Sequence, residues 1–211
     1  MKAIVWKETR IFMHEKAKLI TLILVSLFII FINPFLPGRE GTFSLISPLV
    51  PTLLGICIFS PVVFQTERYS RTLGSLLASP LSVQDIILGK CGAVFLFSYS
   101  ITLLTSIPVL AVMGTGFLMG ILMLLITTPI WGFVLIEIFC IAYATIKNPM
   151  VLQYLAMFIT IGIVITMMNN GVTSIDIHIF LILNSIGIVL IFLLYVLMGG
   201  INKEKMMRII S

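Results

Sequence analysis

The chain has 211 residues, of which 60% are hydrophobic and only 10% are charged, and its mean hydropathy is +1.21. A water-soluble domain of this length needs far more polar surface, so the composition excludes a soluble protein and indicates an integral membrane protein. The net charge of +5 does not indicate a nucleic-acid partner, because basic residues beside apolar segments ordinarily set membrane orientation.

Six apolar segments are long enough to cross a bilayer as helices, since about 20 residues span roughly 30 Å of hydrocarbon. They do not alternate with a period of two, which argues against membrane strands. The predicted spans are 19–36, 48–66, 91–113, 117–145, 150–168 and 178–200. We therefore predict an all-α integral membrane protein that forms one transmembrane domain over residues 1–211.

The basic residues predict the orientation of these spans. All of them except Arg39 fall before the first span, in the second or fourth connection, or in the tail. By the positive-inside rule, both termini then lie in the cytoplasm, and we expect a multi-pass protein of the plasma membrane.

Residues 1–18 precede the first span and are predicted to form a helix that lies at the membrane interface. Basic or imidazole side chains recur there at intervals of three and four, at Lys7, Arg10, His14 and Lys18. Glu8 and Glu15 interrupt the apolar side of the same helix, so its amphipathic character is imperfect. The alternative is a frayed basic tail that only sets the topology.

The segment from Gln65 to Lys90 is a polar interruption between the second and third spans. Glu67 and Arg71 are four residues apart, in the order that favours a helical ion pair. An apolar helix face follows at spacings of three and four, formed by Leu73, Leu76 and Leu77,.

A break and a second helix follow within this segment. Pro80 ends the first helix, because the residue before a proline avoids the helical region. Ser82 and Asp85 have the spacing of a capping box, which predicts a new helix that runs through Gly89 and Lys90 into the third span,. From spacing alone, an ordinary solvated loop with caps remains the alternative.

These residues resemble the signature of ABC-2 type permeases, the membrane subunits of a class of ATP-driven exporters. The family pattern is a glutamate, then Gly-Thr-Leu-Glu, a leucine pair, Ser/Thr-Pro and a closing Gly-Lys. Here it corresponds to Glu67, Thr72-Leu73, Leu76-Leu77, Ser79-Pro80 and Gly89-Lys90. Arg71 stands where the first glycine is usual and Gly74 where the second glutamate is usual. The order of the predicted elements is also similar to that of the family.

The resemblance implies that residues 67–88 form a cytoplasmic coupling helix between spans two and three, seated in a groove of a separate ABC ATPase subunit. ATP and Mg would bind to that partner, and this chain would bind no cofactor and have no enzymatic activity of its own. The implied ATPase contacts are Glu67, Arg68, Arg71, Thr72, Leu73, Leu76, Leu77 and Pro80. A second copy or a paralogous permease would complete the pathway.

The implied function is the outward transport of a hydrophobic or amphipathic substrate across the membrane. The short chain also resembles the haem exporter B type of permease, which remains an alternative. The short connection between 169 and 176 argues against bulky polymers as substrates.

Glu137 is the acidic residue that we place inside a span, and it is a candidate for the translocation path. It precedes Lys147 by roughly ten residues, which puts it about 15 Å deeper in the membrane. An ionisable group at that depth is expensive and is by default a functional candidate. The other interpretations are a protonated carboxyl that bonds a neighbouring helix, an inaccurate span boundary, or the ion site of a secondary carrier.

Other chemistry has little support in the sequence. The chain has no Gly-x-x-x-x-Gly-Lys-Ser/Thr loop for nucleotide phosphates and no hydrolase motif, so a membrane-bound enzyme is the least supported class,. No cysteine or histidine spacing indicates a metal site. The cysteines lie in or beside spans and are predicted to be small packing residues, at Cys57, Cys91 and Cys140,.

Overall fold

The computed structural model describes residues 2–32, 49–69, 82–112, 117–145 and 177–200, together with single helical residues at 151, 154, 158 and 162. Almost all of these residues are helical, as predicted. The helices are α1 (Lys2–His14), α2 (Lys16–Ile32), α3 (Leu49–Tyr69), α4 (Val83–Val112), α5 (Phe117–Leu122), a π-helical turn (Met123–Thr127), α6 (Thr128–Thr145) and α7 (Ile177–Gly199).

Three stretches within the described residues are long and apolar enough to cross a membrane, namely Val83–Pro108, Gly120–Tyr143 and Ile177–Gly199. They correspond to the third, fourth and sixth predicted spans. The second predicted span contains a shorter apolar helix, Leu49–Val63, and the first overlaps α2, which begins three residues before it. The predicted span 150–168 lies almost wholly outside the described residues. The described residues thus contain three candidate membrane spans, as expected for a membrane protein, and the complete set of six spans stays a prediction.

Helices α3, α4 and α6 pack against one another and form the centre of the bundle. The α3–α4 contact is held by a hydrogen bond between the hydroxyls of Thr52 and Thr102, with the oxygens 2.8 Å apart. One turn further along α3, Gly55 lies directly against Ser98. On the other side of α4, the rings of Phe95 and Phe133 pack edge to face with centroids 5.5 Å apart.

The remaining helices surround this centre. Helix α1 packs mainly on α4, α2 packs on α3 and α4, and α7 packs on α6. Gly187 of α7 lets the two backbones approach closely, since a Cβ there would collide with Ile130. The outer side of α7 is an exposed apolar surface, as a helix facing lipid requires.

The structure pairs two of the three cysteines. Cys91 of α4 and Cys140 of α6 are fully buried and their sulfur atoms are in disulfide contact, with Cα atoms 6.7 Å apart. Cys57 is also buried. Cys91 and Cys140 come together because α4 and α6 are neighbours in the bundle, and all three cysteines are buried, as expected for packing residues.

The π-helical turn before α6 follows from Pro129. Here the N–H of Thr128 bonds the carbonyl of Met123, five residues back. In the same pattern the carbonyl of Leu124 would be bonded by residue 129, but proline has no N–H. The hydroxyl of Tyr99 on α4 donates to this Leu124 carbonyl at 3.1 Å. A side chain of the neighbouring helix thus satisfies the group that the proline leaves without its backbone donor.

Replacing Tyr99 with phenylalanine tests this account of the turn. Tyr99→Phe keeps the ring stacked on Phe95 but removes the donor to the buried carbonyl. We expect a loss of about 1–2 kcal/mol in the free energy of unfolding, measured by thermal unfolding in detergent. The control is Tyr195→Phe on the exposed face of α7, which should change nothing. Equal stability of the two variants would show that the bond contributes little.

Candidate functional site at the ends of the 70–81 connection

The predicted coupling residues lie partly within the described chain. Glu67 and Arg68 belong to the end of α3. The other predicted ATPase contacts fall outside the described residues, at Arg71, Thr72, Leu73, Leu76, Leu77 and Pro80. What the structure describes is the base of this connection, which is the end of α3 and the start of α4.

The start of α4 is capped as the sequence predicts. The backbone N–H of Asp85 donates to the hydroxyl of Ser82 at 3.1 Å, and this hydroxyl in turn bonds the Asp85 carboxylate. Asp85 also lies in the first turn of the helix, where a negative charge is favourable beside the unpaired N–H groups. The far end of the connection therefore enters a well-defined helix at Val83.

Seven residues beyond this start, the ammonium group of Lys90 connects three helices. Lys90 Nζ lies 3.2 Å from a carboxylate oxygen of Glu8 on α1. The same group donates to the backbone carbonyl of Val63 on α3 at 3.3 Å. The Glu8 and Lys90 side chains are only 2% and 1% exposed. Val63 and Lys90 each lie about 10 Å from the helix end that borders the connection, at about 1.5 Å of rise per residue.

Helix α1 places Glu8 at this point through a buried stripe with a spacing of four residues. Ile4 packs on Gly89, where an added Cβ would lie 3.2 Å from the Ile4 side chain. Phe12 is fully buried, and its ring lies 5.0 Å from that of Phe59 and 5.2 Å from that of Phe97, between centroids. Along α1, the Glu8 carboxylate is thus flanked by the Ile4 contact on one side and the Phe12 contact on the other.

The order of these contacts gives the orientation of α1 relative to α4. Ile4 meets position 89 of α4 and Phe12 meets position 97, so the contacts advance along both helices in the same direction. The apolar stripe of α1 is consequently buried against protein, while Trp6 and Met13 are exposed on its other side. The prediction of a helix in residues 1–18 is confirmed for Lys2–His14, and its interfacial position stays a prediction.

The buried ion pair has a specific energetic consequence. Removing one partner takes the ion-pair contact away from a charge that is almost fully buried, at a cost of about 3–5 kcal/mol,. Replacing both partners with apolar side chains of similar volume is often neutral. The ion pair therefore adds little net stability, but a substitution of only one of the two residues is costly.

Sequence reasoning missed the role of both residues in this pair. We counted Lys90 among the basic residues that set orientation, and we regarded Glu8 as an interruption of an apolar face. The two are 82 positions apart, so no local spacing links them. One signal was present, because Ile4, Glu8 and Phe12 repeat every four residues on a single helix face,.

Glu137 lies inside the bundle on α6. Glu137 is 1% exposed, and its Oε2 atom has no hydrogen-bond partner within the described ranges. It shares one face of α6 with Phe133 and Cys140, at spacings of four and three, and both of these contact α4. The structure therefore directs this carboxyl toward the α4 side of the bundle, at a depth where a charge is costly.

Among the residues that the structure describes, no group of three or more His, Cys, Asp or Glu side chains is placed to hold a metal ion. The polar groups of this site are the Glu8–Lys90 ion pair, the bond from Lys90 to the Val63 carbonyl and the buried carboxyl of Glu137. Comparison with protein families, curated proteins and solved structures gives no match for this chain.

Proposed function

We propose that this chain is the permease subunit of an ATP-driven exporter of the ABC-2 type. It moves a hydrophobic or amphipathic substrate outward across the plasma membrane, with both of its termini in the cytoplasm. A separate cytoplasmic ABC ATPase binds ATP and Mg and contacts the connection between α3 and α4. A permease of the haem exporter B type is a variant of the same proposal.

The observation that carries this proposal is the construction of the base of the connection. A polar segment with the family-like signature leaves α3 and enters α4 at the capped residue Ser82. Lys90 then ties α4 to the carbonyl of Val63 on α3. A force applied to the segment therefore reaches two bonded helices, which suits a rigid-body response better than a flexible loop would.

The transport cycle follows from this arrangement. Closure of the ATPase pushes the connection, and α3 and α4 tilt together relative to the rest of the membrane domain. Because a chain with six predicted spans is small for a full pathway, the substrate passes between two copies or between this chain and a paralogue. The tilt opens that interface outward, as a switch between two packings of the same helices.

The leucine face of the connection is the predicted contact with the ATPase. Leu73→Asp combined with Leu77→Asp places two charges in the apolar face, and we expect the affinity for the ATPase to fall more than about tenfold. The measurement is co-purification of the permease with the ATPase subunit, followed by mass analysis of the complex, which should contain the two subunits in equal number.

A matched control lies in the same segment. Ser75→Asp combined with Ser79→Asp adds the same charge on the opposite side of the predicted helix, and it should leave the complex intact. The proposal would be wrong if the complex survived deletion of residues 67–80. It would also be wrong if a cysteine introduced at Ser75 reacted with a membrane-impermeant thiol reagent outside the cell.

A further inference from the structure

Glu8 and Lys90 form a buried ion pair, and neither residue belongs to the predicted ATPase contacts. We propose that Glu8 and Lys90 are positioning residues, which hold α1 in one register against both helices that carry the 70–81 connection. Helix α1 then belongs to the moving unit that the connection drives, and it does not act as a passive membrane anchor. This second step rests on the proposed function, whereas the register of α1 does not.

The burial of the pair is the first argument. Both side chains are at most 2% exposed, and an apolar pair of similar volume would fill the same space at little or no cost in stability. A buried pair of this kind is best attested as a device that fixes register. Leucine in place of Glu8 would extend the apolar stripe of Ile4 and Phe12, and it would remove the directional contact between α1 and Lys90.

The second argument is the geometry at Lys90. Its ammonium group bonds the Glu8 carboxylate at 3.2 Å and the Val63 carbonyl at 3.3 Å. One side chain therefore fixes α1 relative to α3 and to its own helix α4 at the same time. A slip of α1 by one turn, about 5.4 Å, would break the first of these bonds and leave both charges buried.

The third argument is the close fit on either side of the pair. Gly89 allows Ile4 to approach α4, and the rings of Phe12, Phe59 and Phe97 pack together at the other end of the stripe. Apolar contacts of this kind hold α1 on the bundle but tolerate sliding better than a directional charge contact. The apolar contacts therefore supply attachment, and the ion pair supplies the register.

The test measures the position of α1 in the full chain, without any partner. Spin labels are placed on cysteines introduced at two exposed positions, Met13 on α1 and Leu104 on α4, in lipid nanodiscs. The parent chain should give one narrow distance distribution. In the double variant Glu8→Leu, Lys90→Met we expect a distribution at least about twice as wide, or a second distance displaced by up to about 5 Å.

The matched control is the exposed ion pair of Glu15 and Lys18, which has an N–O distance of 3.3 Å. The variant Glu15→Leu, Lys18→Met removes the same two residue types from a solvent-exposed site and should leave the distribution narrow. An unchanged distribution in the Glu8→Leu, Lys90→Met variant would overturn the proposal. So would equal broadening in the control, since the effect would then not be specific to the buried pair.

A second readout separates positioning from simple stability. With the ATPase subunit present, the Glu8→Leu, Lys90→Met variant should retain ATP hydrolysis while transport per ATP falls about fivefold or more. A broadened distance with unchanged transport per ATP would overturn the claim that α1 belongs to the moving unit. Failure to find an ATPase would refute the proposed function, and the distance measurement would still decide the register of α1.

Discussion

Gly55→Ala is expected to lower the free energy of unfolding by about 1–3 kcal/mol, because it overpacks the α3–α4 contact. An alanine Cβ at this position would lie 2.6 Å from both the Cβ and the Oγ of Ser98 and 3.2 Å from its Cα. The Ser98 Cβ is fixed to its backbone, so rotation of a side chain cannot relieve the collision. The two helices must separate, which also strains the Thr52–Thr102 hydrogen bond one turn away.

Two further variants make this prediction specific. Gly92→Ala in α4 adds the same methyl group where nothing lies within 4 Å. It should be neutral or stabilising by up to about 1 kcal/mol, since alanine has the higher helix propensity. Ser98→Gly removes the atoms that the new methyl group meets, so Gly55→Ala combined with Ser98→Gly should recover most of the lost stability.

Thermal unfolding in detergent, with all four proteins in the same lipid–detergent mixture, gives the comparison. Equal unfolding temperatures for Gly55→Ala and Gly92→Ala would mean that α3 and α4 do not approach closely at Gly55. The α3–α4 contact matters for the proposed function too, because the same two helices flank the connection that would receive the ATPase.

Local features of this fold were predictable from the sequence, because they depend on neighbouring residues. The apolar helices follow from composition and length, and the start of α4 follows from the Ser82–Asp85 spacing. Helix α3, by contrast, continues to Tyr69, three residues beyond the end of the predicted span 48–66.

Features that join distant helices were not predictable in the same way. The contact of Lys90 with Glu8 and the pairing of Cys91 with Cys140 depend on which helices become neighbours. In a bundle where almost every residue is apolar, periodicity hardly distinguishes an inward face from a lipid-facing one. A polar residue is then the better signal, since a buried one must find a partner, but the sequence does not name that partner.

Glu137 is another buried polar residue whose surroundings could not be predicted from the sequence. Its substitution is expected to have a large effect on both stability and transport. The sequence placed it inside a span, and the structure buries it on α6 with Oε2 lacking a hydrogen-bond partner among the described residues. Replacing such a group with an apolar side chain removes a desolvation cost of about 1–3 kcal/mol. We therefore expect Glu137→Leu to unfold at a higher temperature than the parent chain.

The same variant, Glu137→Leu, should transport about tenfold less substrate or even less than that. The reason is that an ionisable group retained in a span at such a cost is a functional candidate. Glu137→Gln is the sharper variant, since it keeps the shape and most of the hydrogen-bonding capacity but cannot carry a charge or release a proton. It should unfold like the parent chain and yet lose ATP-driven transport in reconstituted vesicles. The control is Asn184→Leu on α7, which removes another buried polar side chain whose oxygen has no hydrogen-bond partner among the described residues, and it should retain transport.

Two outcomes would contradict this role for Glu137 in ATP-driven export. Full transport by Glu137→Gln would identify the carboxyl as a packing group that the bundle tolerates. Transport driven by a pH gradient in vesicles without ATP, and lost in Glu137→Gln, would instead make the chain an ion-coupled carrier, because the proton would then supply the driving force. The stability of the variants separates these cases from misfolding, since only a folded protein that unfolds at the parent temperature can lose transport for a chemical reason.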